Sequence, residues 1–203
     1  MPSTYLTRTF QSGGNRKKWT MSYWLKRDVL GSSNIMFQTY VSTYTWCRFD
    51  TNNKFQFDDG NGGDKVTTRV FRDTNAWYHI VVAIDTDLAT ADDRYKIYVN
   101  GNRITEFDTS TNPSQGYEGE WNKAQASNIG RHSNNSTFFN GLMSHIHFCD
   151  GYQYQASDFG ETDSLTGQWK IKPAPSVSYG TNGFFILKDG NSVTDQSPNT
   201  NNW

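Results

Sequence analysis

Residues Trp77–Ile104 read WYHIVVAIDTDLATADDRYKIYVNGNRI, and their pattern decides the fold class. The run Trp77–Asp85 is rich in β-branched and aromatic residues, which fit a pleated, partly buried surface. Arg94–Val99 alternates: Tyr95, Ile97 and Val99 fall on one face, Lys96, Tyr98 and Asn100 on the other. Side chains of a strand repeat every two residues, so this pattern predicts a half-buried strand. Asn100-Gly101 supplies the positive φ angles of a tight hairpin turn, and Arg103-Ile104 starts the return strand. Trp77, Tyr95, Ile97 and Val99 are the expected core positions. The acidic turn holding Asp87, Asp92 and Asp93 is the part of the hairpin left free for chemistry.

The same signals recur outward from this stretch. Upstream, Tyr5–Phe10 reads as an edge strand and Gln11–Lys18 as a turn. Trp19–Lys26 alternates, with Trp19, Met21, Tyr23 and Leu25 on one face and Thr20, Ser22, Trp24 and Lys26 on the other. After a break at Gly31–Asn34, strands are expected at Ile35–Val41, Thr45–Phe49, Lys54–Phe57 and Val66–Phe71. Downstream, Thr109–Ala126 reads as a long polar loop, followed by strands at Ser127–Gly130 and Phe138–Phe148. A short helix is expected near 156–163 with Ser157 as its N-cap, then a Pro173/Pro175 connector and a last strand at Gly183–Lys188. Roughly ten to twelve short strands, separated by Gly, Asn, Asp and Ser turns, predict an all-β, two-sheet antiparallel β-sandwich. No internal repeat points to a propeller or solenoid.

The chain has 203 residues, enough for one domain with a substantial core, here read as 1–203 with its centre at 19–148 and an extension at 149–203. A net charge of −1 gives no electrostatic case for nucleic acid or membrane partners. The chain is polar overall, yet 13 Phe, 11 Tyr and 7 Trp can build a core. No run of about 18 apolar residues predicts a transmembrane helix. Cys47 and Cys149 each lie in an apolar run and read as buried free thiols, a single long-range disulfide being the alternative. The N-terminus shows no charged-then-apolar leader pattern, so the expectation is synthesis in the cytoplasm followed by assembly, or a leader outside this sequence.

Four pieces resemble the concanavalin A-like lectin/glucanase superfamily in its laminin-G-like branch. They are the early strand WTMSYWLKR (Trp19–Arg27), the hairpin Trp77–Val82 with Ile97–Gly101, Ser127–Gly130, and Phe139–Ile146. The resemblance implies a jelly-roll sandwich. Flanking pieces resemble tailed-bacteriophage virion proteins: Ser157–Glu161, Thr166–Lys170, Tyr179–Phe185, Asp195–Asn199 and the closing Asn202-Trp203. That likeness implies a fibre, spike or capsid appendage on the virion surface, made in the host cytoplasm. Its partners would be other virion proteins, copies of itself, or a cell-surface glycan. It also implies that the native chain could continue past Trp203.

Candidate chemistry falls in the loops. Retaining glycosidases need two carboxylates about 5–5.5 Å apart. The only glutamates are Glu106, Glu118, Glu120 and Glu161, and none makes such a strand pair, so the chain is read as non-enzymatic. Cys149 and His147 share a strand face, as a core thiol and a surface histidine, without an orienting group. For zinc, His145 and His147 share a face but His79 and His132 are unplaced. Calcium prefers oxygen ligands, and two loops concentrate them: Asp58, Asp59, Asn61 and Asp64 in one, Asp87, Asp92 and Asp93 in the other. The competing explanation is that Asp, Asn and Gly make turns. For a glycan or protein partner, Tyr117, Trp121 and Asn122 form one candidate group and Tyr152 with Tyr154 a second. The alternative is aromatics that anchor loops to the sandwich.

Overall fold

The computed structural model of the chain describes residues 4–40 and 43–203; Val41, the expected end of the third strand, lies outside them. Two antiparallel sheets form a sandwich. The seven-stranded sheet runs in the order β1 (Leu6–Thr9), β11 (Ala126–Ile129), β3 (Asn34–Tyr40), β4 (Tyr44–Phe49), β5 (Lys54–Asp58), β6 (Asp64–Val70) and β10 (Phe107–Ser110). The six-stranded sheet runs β15 (Phe184–Ile186), β12 (Gly141–Asp150), β2 (Lys18–Arg27), β7 (Tyr78–Asp85), β8 (Tyr95–Val99) and β9 (Asn102–Arg103). A two-stranded ribbon, β13 (Gly160–Thr162) with β14 (Trp169–Ile171), stands apart from both.

The opening stretch takes the middle of the six-stranded sheet. β7 pairs with β8, Val82 opposite Ile97, and with β2, Met21 opposite Val82. A helical turn at Ala91–Arg94 links β7 to β8, and Asn100-Gly101 makes the tight turn into β9 at φ 48° and 84°. Both sheets turn aromatic and aliphatic faces inward. Trp19, Met21, Tyr23 and Leu25 of β2 and Tyr78, Ile80, Val82 and Ile84 of β7 meet Phe37, Phe49, Phe55 and Phe57 of the opposite sheet.

The strand at Arg94–Val99, which its alternation predicted to be half-buried, is buried on both faces as β8 apart from Lys96. Every residue of β7 is buried, because the C-terminal extension lies across the outer face of the sheet. A second apolar cluster forms there from Val81, Ala83, Tyr98, Cys149, Ala156 and Phe159, with Tyr154, Trp169, Val177 and Tyr179 packed on it. Sheets covered on both faces lose the inside/outside alternation.

The same register corrects the placing of Trp77. It is 39% exposed, one residue before β7, and has the parity of His79 and Val81, which face outward. The expected helix near 156–163 shrinks to a 3-10 turn at Ala156–Asp158, capped by Gln155 rather than Ser157. Ala156 and Phe159 are drawn into the second cluster, and the chain then leaves as β13. Both cysteines are buried free thiols.

Candidate functional site

A row of side chains crosses the outer face of the six-stranded sheet. Trp24 of β2 is opposite Ser144 of β12 on one side and His79 of β7 on the other. Trp24 and His79 stack at 4.9 Å with 16° between their planes. Trp169 of β14 lies beside His79, with ring centroids 6.0 Å apart and planes 22° apart. Trp169 can lie there because two glycines leave room. A Cβ on Gly101 would come within 2.7 Å of the indole, and one on Gly160 within 2.5 Å.

The hydrogen bonds of His79 settle its protonation. Indole Nε1–H is a donor only, and Trp169 Nε1 donates to His79 Nδ1 at 2.9 Å. His79 Nδ1 is therefore bare. Its ring proton is on Nε2, which donates to Ser22 Oγ at 2.8 Å. His79 is fully buried, and burial pushes its pKa down to about 3. A neutral imidazole thus fixes the angle of Trp169.

Trp24, Trp169 and the exposed Trp77 line a pocket of ≈ 280 Å³ together with Ser144, Lys170 and Ile171. The ammonium of Lys170, one of the lining residues, is paired with Asp163 at 3.0 Å and Glu161 at 3.5 Å. Leu142, 59% exposed and two residues before Ser144 on β12, extends the apolar surface. Small-ligand sites are concave and mostly apolar, with a few placed polar groups, and this pocket has that make-up.

The residues singled out from sequence are placed differently. Trp121 is 1% exposed and packs edge-on against Phe10, Phe37 and Phe148, so it is core rather than contact surface. Asn122 is also buried. It donates to Asp150 Oδ1 at 2.6 Å and accepts from Asn182 Nδ2 at 2.8 Å, tying two loops to the end of β12. Tyr117 is half-buried and donates to the Asp59 carbonyl at 3.1 Å. Tyr152 and Tyr154 stack at 5.6 Å, and Tyr152 is 41% exposed.

The acidic residues are engaged by protein groups. Asp59 accepts from Thr45 and from Tyr95 at 2.9 Å, and burial raises its pKa to about 6. Asp58 accepts from Gly60 and Tyr44, and Asp64 from Gln56, while Asn61 is exposed. Asp87 faces Lys17, Asp92 accepts from Asn112, and Asp93 pairs with Arg103. Among the described residues, no group of three or more His, Cys, Asp or Glu is gathered as a metal site.

Glu118 and Glu120 both turn to Arg16, at 3.0 and 3.6 Å. His147, expected at the surface, is buried beneath the extension against Phe185 at 3.8 Å, with Tyr179 OH 2.9 Å from its Nδ1. A tryptophan on the polar face of Trp19–Lys26 was the available signal for the pocket. Nothing local to Trp169 marked it as Trp24's neighbour.

A family model of the concanavalin A-like lectin/glucanases superfamily matches residues 3–153, and the chain belongs to that superfamily. Among solved structures it is similar to the native heptameric SAP-like pentraxin from Limulus polyphemus, at 15% identity and TM-score 0.56, over 93% of this chain and 88% of that one. It is also similar to Trypanosoma rangeli sialidase in complex with 2,3-difluorosialic acid, at 13% identity and TM-score 0.51, over 70% of this chain. The match spans only 22% of the sialidase. No curated protein matches the chain. At these identities the likeness is one of fold.

Proposed function

We propose that the chain is a non-enzymatic binding module that attaches a larger assembly to a glycan, and that the three-tryptophan pocket is its sugar-facing site. The observation that carries this reading is the preorganised Trp24–His79 stack, with Trp169 hydrogen-bonded to the same imidazole, beside the exposed Trp77. Flat, amphipathic rings supply large contact area at little conformational cost, and the polar residues Ser144 and Lys170 share the lining. The superfamily membership is consistent with a lectin-like role. The motif resemblance to tailed-phage virion proteins supports a setting on a virion surface, in a fibre, spike or capsid appendage. Other virion proteins or further copies of the chain are the partners there. Calcium dependence through the Asp58–Asp64 turn is the alternative version of the same lectin role.

A glycan array probed with and without Ca²⁺, followed by calorimetry on the hits, tests the proposal. Trp77→Ala is the informative variant, because Trp77 is exposed at the pocket wall and lies outside β7. It should weaken binding about tenfold, or ~1.4 kcal/mol. An array with no hits in either condition would overturn the reading, and so would Trp77→Ala binding as tightly as the parent. Release of free sugars during the assay would argue for catalysis instead.

A further inference from the structure

A second cavity, of ≈ 200 Å³, lies where β9 and β10, the edge strands of the two sheets, come together. Its wall includes Lys65, Asp92, Tyr95, Arg103, Phe107 and Ser110. Lys65 is only 2% exposed. Its ammonium donates to Ser110 Oγ at 2.6 Å and lies 5.2 Å from the centre of the Phe107 ring. An ammonium carries three donors, and here one is matched to a neutral hydroxyl.

Among the described residues no carboxylate comes within 4.0 Å of Lys65 Nζ. The nearby acids are committed elsewhere. Asp92 Oδ1 accepts from Asn112 Nδ2 at 2.6 Å, and Asp93 pairs with Arg103 at 2.9 Å and Lys96 at 3.5 Å. Arg103 adds a second cation to the wall, its Nη2 donating to the Asp92 carbonyl at 2.7 Å. Of the two cations in the wall, Arg103 is paired with Asp93, whereas Lys65 has no carboxylate in ion-pair contact. Burial pulls the Lys65 ammonium below the ordinary lysine range, with the charge of Asp92 acting against that shift. A buried charge without an ion-pair partner is costly, and a cavity beside it gives a counter-ion somewhere to sit.

We infer that this cavity is an oxyanion site, in which the Lys65 ammonium, with Ser110 and Arg103, holds a carboxylate or sulfate group. It lies on the sandwich edge, away from the tryptophans, and stands or falls independently of the glycan pocket. Two sources share this chemistry, a free inorganic ion and the acidic substituent of a sugar.

The test is the thermal midpoint of the whole chain, titrated with sodium sulfate at constant ionic strength and, separately, with glucuronate against glucose. A ligand that binds only the folded state raises the midpoint along a saturating curve. The parent should show saturation with sulfate, with glucuronate, or with both, and none with glucose. Saturation with sulfate alone assigns the site to a free ion. Tighter saturation with glucuronate assigns it to an acidic sugar. Lys65→Met keeps the apolar stem without the charge and should weaken saturable binding about tenfold or more. Ser110→Ala and Arg103→Gln should each weaken it less, and they keep the test decisive if Lys65→Met does not fold. Sulfate also stabilises proteins generally, without saturating. If the parent and the variants share only that featureless rise, and glucuronate acts as glucose does, the inference is wrong.

Discussion

Acid should loosen the tryptophan pocket and weaken the fold through His79. The folded-state pKa of His79, about 3, lies below its reference value of 6.5. The unfolded chain therefore takes up more protons in the window between the two. Stability is fully present above the upper value and is lost as pH falls through the window. Between about pH 7.5 and about pH 5 this one group removes ~2 kcal/mol. Asp59 acts in the opposite sense. Its folded pKa, about 6, lies above the reference 3.8, so the same acidification adds ~1 kcal/mol. His147, also pushed down by burial, adds to the His79 side. The histidines therefore win, and stability falls.

The local consequence is specific. Protonation at Nδ1 sets an N–H against the Trp169 indole N–H, two donors with no acceptor between them. The assay is urea unfolding at the two pH values, with linear extrapolation, for the parent and for His79→Gln. Glutamine can accept from Trp169 and donate to Ser22 but does not titrate. The stability difference between the two pH values should shrink by about 2 kcal/mol in the variant. If His79→Gln kept the parent's full pH dependence, the assignment of a buried neutral His79 would be wrong.

Val99→Asp should abolish cooperative thermal unfolding, because Val99 is fully buried in the main core and an unpaired carboxylate there costs several kcal/mol, roughly a small domain's whole margin; a retained midpoint would misplace β8. Gly101→Ala should cost about 1–2 kcal/mol in urea unfolding, from its φ of 84° and the 2.7 Å approach of Trp169. It should also shift the tryptophan fluorescence, and an unchanged spectrum would mean that Trp169 does not rest on this turn.

Much of the fold is legible in the sequence. Alternation placed Trp19, Met21, Tyr23 and Leu25, and Tyr95, Ile97 and Val99, on inward faces, and Asn100-Gly101 marked the turn. The return strand of the hairpin, β9, was legible from its turn, but short strands such as β10 and β14 were not, since a backbone ladder rather than a side-chain pattern makes them. The candidate site was legible only in Trp24. The loop aromatics were misjudged at Trp121, because a polar sequence neighbourhood says nothing about which way one large ring points.

The sequence alone determined the class of this protein, since a period of two and turn residues at short spacing are local properties of a strand. Tertiary structure decided what covers the outer face of the central sheet. The extension folds back over β7 and β8, buries His147 and Cys149, and brings Trp169 onto His79, 90 residues earlier in the chain. Trp77 changed from expected core to pocket wall because the register of β7, pinned by β2 and β8 together, sets which parity faces outward. Contacts at that sequence separation carry no local signature. They form because the apolar outer face of a central sheet is more stable covered than wet.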